Sequence, residues 1–252
     1  AFASLSTVDL KVQDDLTVTD DATIGGTLGV TGVLTGTSLD ISGDIDVDGT
    51  TETDALTING SALNYKAFGT SSIMFGDNAT GTIDAANYNT GVGVDVFAAL
   101  TTGDENTAIG YASLDALTTG ANNTAVGSDA LGVNSTGSEN VAVGKAALDA
   151  NTTASNNIAV GSNALGANST GASNVAVGSS ALAANTTAAS NVAIGAFSLD
   201  ANTTGAGNTA VGTNSLTANT TASNNVAFGS GALEANTTGA NNVAVGTAAL
   251  DA

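Results

Sequence analysis

The sequence predicts an all-β fold: a parallel β-solenoid (β-roll) of 17-residue coils, preceded by an intertwined trimeric β-stalk. Three observations carry that prediction. From Asn106 to the end, Asn, Gly and Leu recur every 17 residues without an insertion, as at Asn174, Gly178 and Leu182. A fixed short period marks a solenoid, whose coils cannot bury a core singly. Upstream, apolar-polar-apolar triplets recur at a spacing of six: Leu10-Lys11-Val12, Leu16-Thr17-Val18, Ala22-Thr23-Ile24 and Leu28-Gly29-Val30. Finally, the chain has no Pro, which suits uninterrupted β ladders because Pro cannot donate to one.

Residues 1–8 read as a lead-in. Residues 9–60 read as the hexad-repeat stalk, whose triplets alternate as short strands do, with Gly, Asp and Thr in the turns between. After a one-residue slip the pattern resumes at Leu39-Asp40-Ile41 and Ile45-Asp46-Val47. Three-residue strands cannot stand alone, since even an isolated hairpin is marginal; three chains winding together would satisfy them. Eleven of the 23 acids fall in residues 1–60, against one Lys, so the stalk carries half of the net charge. Residues 61–88 read as a transition with a degenerate first coil, plugged by rings such as Tyr65, Phe68 and Phe75. The solenoid proper is residues 89–252. Counting Gly76 and Gly93 as earlier register marks gives eleven coils from Gly76 to Gly246, a stack of roughly 50 Å at the usual strand spacing.

The coil that begins at Asn174 shows the expected plan; positions in a coil are counted from that Asn. Val175 and Val177 share one face, read as inward, and Ala176 takes the other. Gly178 turns the chain, Ala181-Leu182 makes a second short strand with Leu182 inward, and Asn185-Thr186-Thr187 opens the return turn. Position three is Ala in every coil from Ala108 to Ala244. A face that accepts only Ala has no room, which predicts close approach of another backbone, that of a neighbouring subunit. Asn174 and Asn185 are each expected to stack into a ladder bonded to the adjacent coil.

Composition restricts the chemistry. Cys and His are absent, removing thiol nucleophiles, disulfides, imidazole bases and the commonest transition-metal ligands. Three Lys face 23 acids, for a net charge of −20, which disfavours nucleic acid and anionic membrane surfaces as partners. No apolar run reaches 18 residues, so no membrane insertion is expected, and no signal peptide is visible. The chain begins Ala1-Phe2-Ala3 and ends within a repeat at Leu250-Asp251-Ala252, so both ends read as cut.

The Asn174-Val175-Ala176-Val177-Gly178 phrase and the small-residue turn after it resemble the head repeats of YadA-type trimeric adhesins. The resemblance covers about residues 72–252. It implies a left-handed parallel β-roll with three rolls side by side. The coil here is longer, by the insertion of segments such as Leu182-Ala183-Ala184-Asn185-Thr186-Thr187. Leu28-Gly29-Val30-Thr31-Gly32 and Leu39-Asp40-Ile41-Ser42-Gly43-Asp44 resemble the stalks of marine phage tail fibres.

Several motifs invite chemistry and are read blandly. Asp44-Ile45-Asp46-Val47-Asp48-Gly49 opens like an EF-hand loop, but Ala55 stands where the closing Glu belongs. Asn-x-Ser/Thr sequons recur from Asn134 to Asn236, yet at a coil corner they suit a ladder better than a glycan. Acid pairs Asp14-Asp15, Asp20-Asp21 and Asp104-Glu105 read as solvated turns, not a glycosidase dyad. Rows of Thr suggest an ice-binding face. Against it, Ser replaces the middle Thr at Ser135 and Ser169, and no Thr-x-Thr strand exists. No catalytic set, metal or cofactor is expected. The expectation is a structural fibre or appendage, extracellular or on a virion, that presents or forms a receptor-contacting surface. Its partners would be its own copies, in a homotrimer or a longer filament, and a cell-surface receptor or polymer. The alternatives are a bacterial trimeric adhesin head or a self-assembling filament subunit and, in another class, an ice-binding or carbohydrate-active protein.

Overall fold

The computed structural model describes residues 56–58, 61–63, 65–68, 72–75 and 86–251; the lead-in, the stalk up to residue 55, the EF-hand-like run and Gly76 lie outside the described residues. Two antiparallel pairs come first. Strand β1 (Leu56–Ile58) pairs with β2 (Ser61–Leu63), setting Leu56 opposite Leu63, and β3 (Tyr65–Phe68) pairs with β4 (Ser72–Phe75). Leu56–Ile58, which lies within the 9–60 stretch read as stalk, therefore pairs within its own chain.

From β4 onward every pairing is parallel and every partner lies 17 residues away. Ile73 faces Thr90 of β5 (Thr90–Val92), and the ladder continues through β6 (Thr107–Ile109), β7 (Thr124–Val126), β8 (Val141–Val143) and β9 (Ile158–Val160). It ends through β10 (Val175–Val177), β11 (Val192–Ile194), β12 (Thr209–Val211), β13 (Val226–Phe228) and β14 (Val243–Val245). Ten strands, β5 to β14, thus form a parallel β-solenoid of about nine turns, with β4 as an eleventh parallel strand whose far edge β3 covers. At about 4.8 Å per strand, nine turns span roughly 43 Å.

The ladder extends beyond the strands. Val175 N–H donates to Asn191 O (2.8 Å) in the next coil, and Gly178 N–H to Val160 O (2.8 Å) in the previous one. In the turns, Ser180 N–H reaches back to Ser162 O (2.9 Å) and Leu182 N–H forward to Ser198 O (3.0 Å). The stack is thereby stapled around its whole circumference, as buried backbone groups require.

Two sequence expectations are corrected here. Ala176 is fully buried, while Val175 and Val177 are only half-buried, so the faces are reversed. Each layer is filled by Ala at position three, Leu at position nine and, in most coils, Ala at position eight, as with Ala176, Leu182 and Ala181. The roll is so thin that a single methyl fills the space behind the strand, and Val there would overpack it. The room that position three lacks is thus inside its own coil, not at a subunit contact. The second correction concerns Ala181-Leu182, which belongs to a run of turns from Ser179 to Ala184. Leu182 has φ +52°, and its counterparts from Leu114 to Leu250 lie between +50° and +56°. That region is uncommon for a bulky side chain and is retained here because the following coil repeats and braces it.

Gly178 sits at φ +139°. A Cβ added there would meet the Gly195 carbonyl oxygen at 2.5 Å, so position five admits only Gly on two independent grounds.

Candidate functional site

Each coil exposes three kinds of surface. The first is the outer face of the strands, made by positions two and four. Its two columns are Thr at first (Thr90, Thr107, Thr124) and then mostly Val and Ile in one, and Val, Ile and one Phe in the other. Ile158 is 40% exposed, Ile194 41% and Phe228 57%. Because strands alternate, both columns point away from the Ala-filled interior and run uninterrupted along the stack.

The second surface is acidic and lies on the turn after the strand. Asp95 and Asp129 occupy position seven; Asp115, Asp149, Asp200 and Glu234 occupy position ten. Burial raises the pKa of Asp115, and the charge of Asp95 adds to it. Asp149 is raised likewise, by burial first and by Asp129 second. Burial also raises Asp200, partly offset by its own backbone N–H and that of Ala201; its Oδ1 is buried with no hydrogen-bond partner. Asp95 and Asp115, and Asp129 and Asp149, are like charges in successive coils. Among the described residues no three acids converge as a metal site would require. Asp104, from one of the candidate acid pairs, accepts the Asn87 backbone N–H at 2.7 Å, and Glu105 is exposed.

The third surface is the return turn, built over two buried ladders. Asn174 donates its backbone N–H to Asn157 Oδ1 (2.9 Å) and its Nδ2 to Ala188 O (2.9 Å). Asn185 donates Nδ2 to Asn168 Oδ1 (2.9 Å) and to the same Ala188 carbonyl (3.0 Å). Both ladders therefore converge on one carbonyl per coil, at Gly137, Ala154, Gly171, Ala188, Gly205 and Ala222. Asn134 to Asn219 in this series are fully buried, so the folded coil offers those sequons no accessible amide. Next to them, the position-13 hydroxyl donates to the next coil: Thr186 Oγ1 to Thr203 O (3.2 Å), Ser169 Oγ to Thr186 O (3.0 Å). Ser and Thr serve equally in that role.

No family model, no curated protein and no solved structure matches this chain. Of the residues singled out from the repeat, Asn174, Ala176, Leu182 and Asn185 are buried, Gly178 turns the corner, and Val175 and Val177 lie on the outer face. Sequence reasoning had turned that apolar face inward. The mixed Thr-and-Val usage of position two was the available signal, since a buried layer position would not accept Thr without a partner for its hydroxyl.

Proposed function

We propose that the protein is a structural fibre or surface-appendage protein, of the kind that forms a phage-type tail or virion fibre, acting outside the cell. Three copies lie side by side in parallel and either present or form a receptor-contacting surface. The observation that carries this reading is the apolar outer strand face of the stack, where position four is Val, Ile or Phe in every coil from Val92 to Val245 and position two is Val or Ile in six of ten. Large contiguous apolar patches on soluble proteins mark association sites. Copies meeting there would cover Val175, Val177, Ile158, Ile194 and their column neighbours, while the acidic turns stay in solvent. A chain with net charge −20 needs such an apolar seam to hold like-charged copies together.

Light scattering on the purified protein is expected to find three chains. Val160→Asp with Val177→Asp should release monomers that keep the β spectrum, because the side chains leave the coil interior untouched. A wild-type chain that stays monomeric at micromolar concentration sinks the trimer. For the function itself, the trimer should adhere to whole cells or cell-surface polymer without hydrolysing glycans. Measurable glycan cleavage would move the protein to a different class.

A further inference from the structure

We infer that the return-turn face is an ice-contacting surface whose working column is the threonine at position 14. This rests on the solenoid geometry and not on the fibre reading. Position 14 is Thr in every coil from Thr102 to Thr238 at intervals of 17, and each of these residues is exposed. Other exposed positions drift: position 17 is Glu at Glu139, Asn at Asn156, Ser at Ser190 and Gly at Gly207. The Ser residues that break the Thr rows, Ser135 and Ser169, stand at position 13, where the hydroxyl is spent on a backbone carbonyl of the next coil. The outward column is unbroken.

Among the described residues the hydroxyl of Thr187 and its column neighbours has no hydrogen-bond partner, so internal hydrogen bonding does not explain why Ser never replaces Thr there. Both the methyl and the hydroxyl are kept, at a spacing fixed by the stack at about 4.8 Å. The backbone beneath is tied coil to coil, with Thr170 N–H to Thr186 O at 3.2 Å and Thr204 N–H to Thr220 O at 3.3 Å. A discrete ligand would not demand the same residue in every coil; a repeating lattice would. From Asn151 onward the face is also neutral, although Asp104, Glu105 and Glu139 charge its earlier coils. From Asn151 to Asp251 the charged residues are Asp200, Glu234 and Asp251, all at position ten, and none lies in positions 11 to 17. A rigid, uncharged column in which every coil from Asn151 onward offers one methyl and one hydroxyl can hold a layer of water in lattice order with no reorganisation on contact, the advantage of any preorganised surface.

The test is thermal hysteresis and adsorption of the fluorescently labelled whole chain to a growing ice crystal. The wild-type chain should shape the crystal, depress its growth temperature and enter the ice. A variant with Thr170→Lys, Thr187→Lys, Thr204→Lys and Thr221→Lys should lose all three effects with unchanged melting by circular dichroism. The corresponding Thr→Ser variant, lacking only the methyls, should lose most of the hysteresis. No hysteresis from the wild-type chain overturns the inference, as does full activity in the Lys variant. Retention on cellulose without ice activity also overturns it, in favour of a neutral polysaccharide. Oligomeric state in solution bears only on the trimer, so the two readings fail separately.

Discussion

The first two coils and the later ones solve the same corner differently. At position 12 the early coils have Leu100 and Leu117, fully buried beside Phe97, Val96 and Leu114. From Asn134 onward the same position holds Asn, whose amide bonds its own turn and, from Asn151, the coil before as well. Leu excludes water from the corner and asks nothing of its neighbours. Asn costs desolvation unless every partner is present, and in return it fixes the stacking register. An apolar plug closes the corner without a matching amide in the adjacent coil, whereas a polar ladder needs one to satisfy its donors and acceptors. Repeats near the start of a solenoid commonly depart from the consensus.

Four experiments set the apolar plug against the polar ladder. The largest effect is expected from Leu182→Asp, which buries an unpaired charge common to both designs; it should cost about 4 kcal/mol or more by urea denaturation. Unchanged stability would refute the inward assignment of Leu at position nine. Asn185→Leu imports the early-coil solution into the ladder. It strands Asn168 Oδ1 and removes the acceptor of Asn202 Nδ2, and is expected to cost about 2–4 kcal/mol. If it proved neutral, the ladder would be ornament and the corner merely a volume to fill. The reverse change, Leu117→Asn, should be milder, about 1 kcal/mol. It loses burial but gains an oxygen opposite Asn134 Nδ2 and a donor near Gly120 O. A larger loss than for Asn185→Leu would invert the proposed logic.

The smallest expected effect is that of pH. Asp115, Asp149 and Asp200 have folded pKa values above 3.8, their usual value, so the folded state binds protons more tightly than the unfolded one. Their contribution is most favourable below the unfolded pKa and is lost as pH rises through the raised folded values. Melting temperature should therefore climb slightly on acidification from neutral toward pH 4. Asp149→Asn should flatten that slope; a slope unaltered by it would place the titration elsewhere.

The period, the parallel stack, the glycine corners and the two asparagine ladders are all legible in the amino-acid sequence. Each leaves an identity mark at a fixed spacing, because stacked coils put position i beside position i+17 and like groups must satisfy like groups. The sequence did not determine which face of the strand looks inward. Val175-Ala176-Val177 alternates either way, and the usual rule that larger apolar residues go inside points to the wrong face. The folded coil selects the other face, since the thickness of the roll, with Leu182 of its turns in the left-handed region, leaves room for a methyl and no more. Nor could alternation distinguish Ala181-Leu182 as a turn, because the sign of φ has no signature in hydropathy. The exposed apolar columns and the neutral threonine face follow from that one choice of face and from the path of the turns, which residue types at a spacing do not encode.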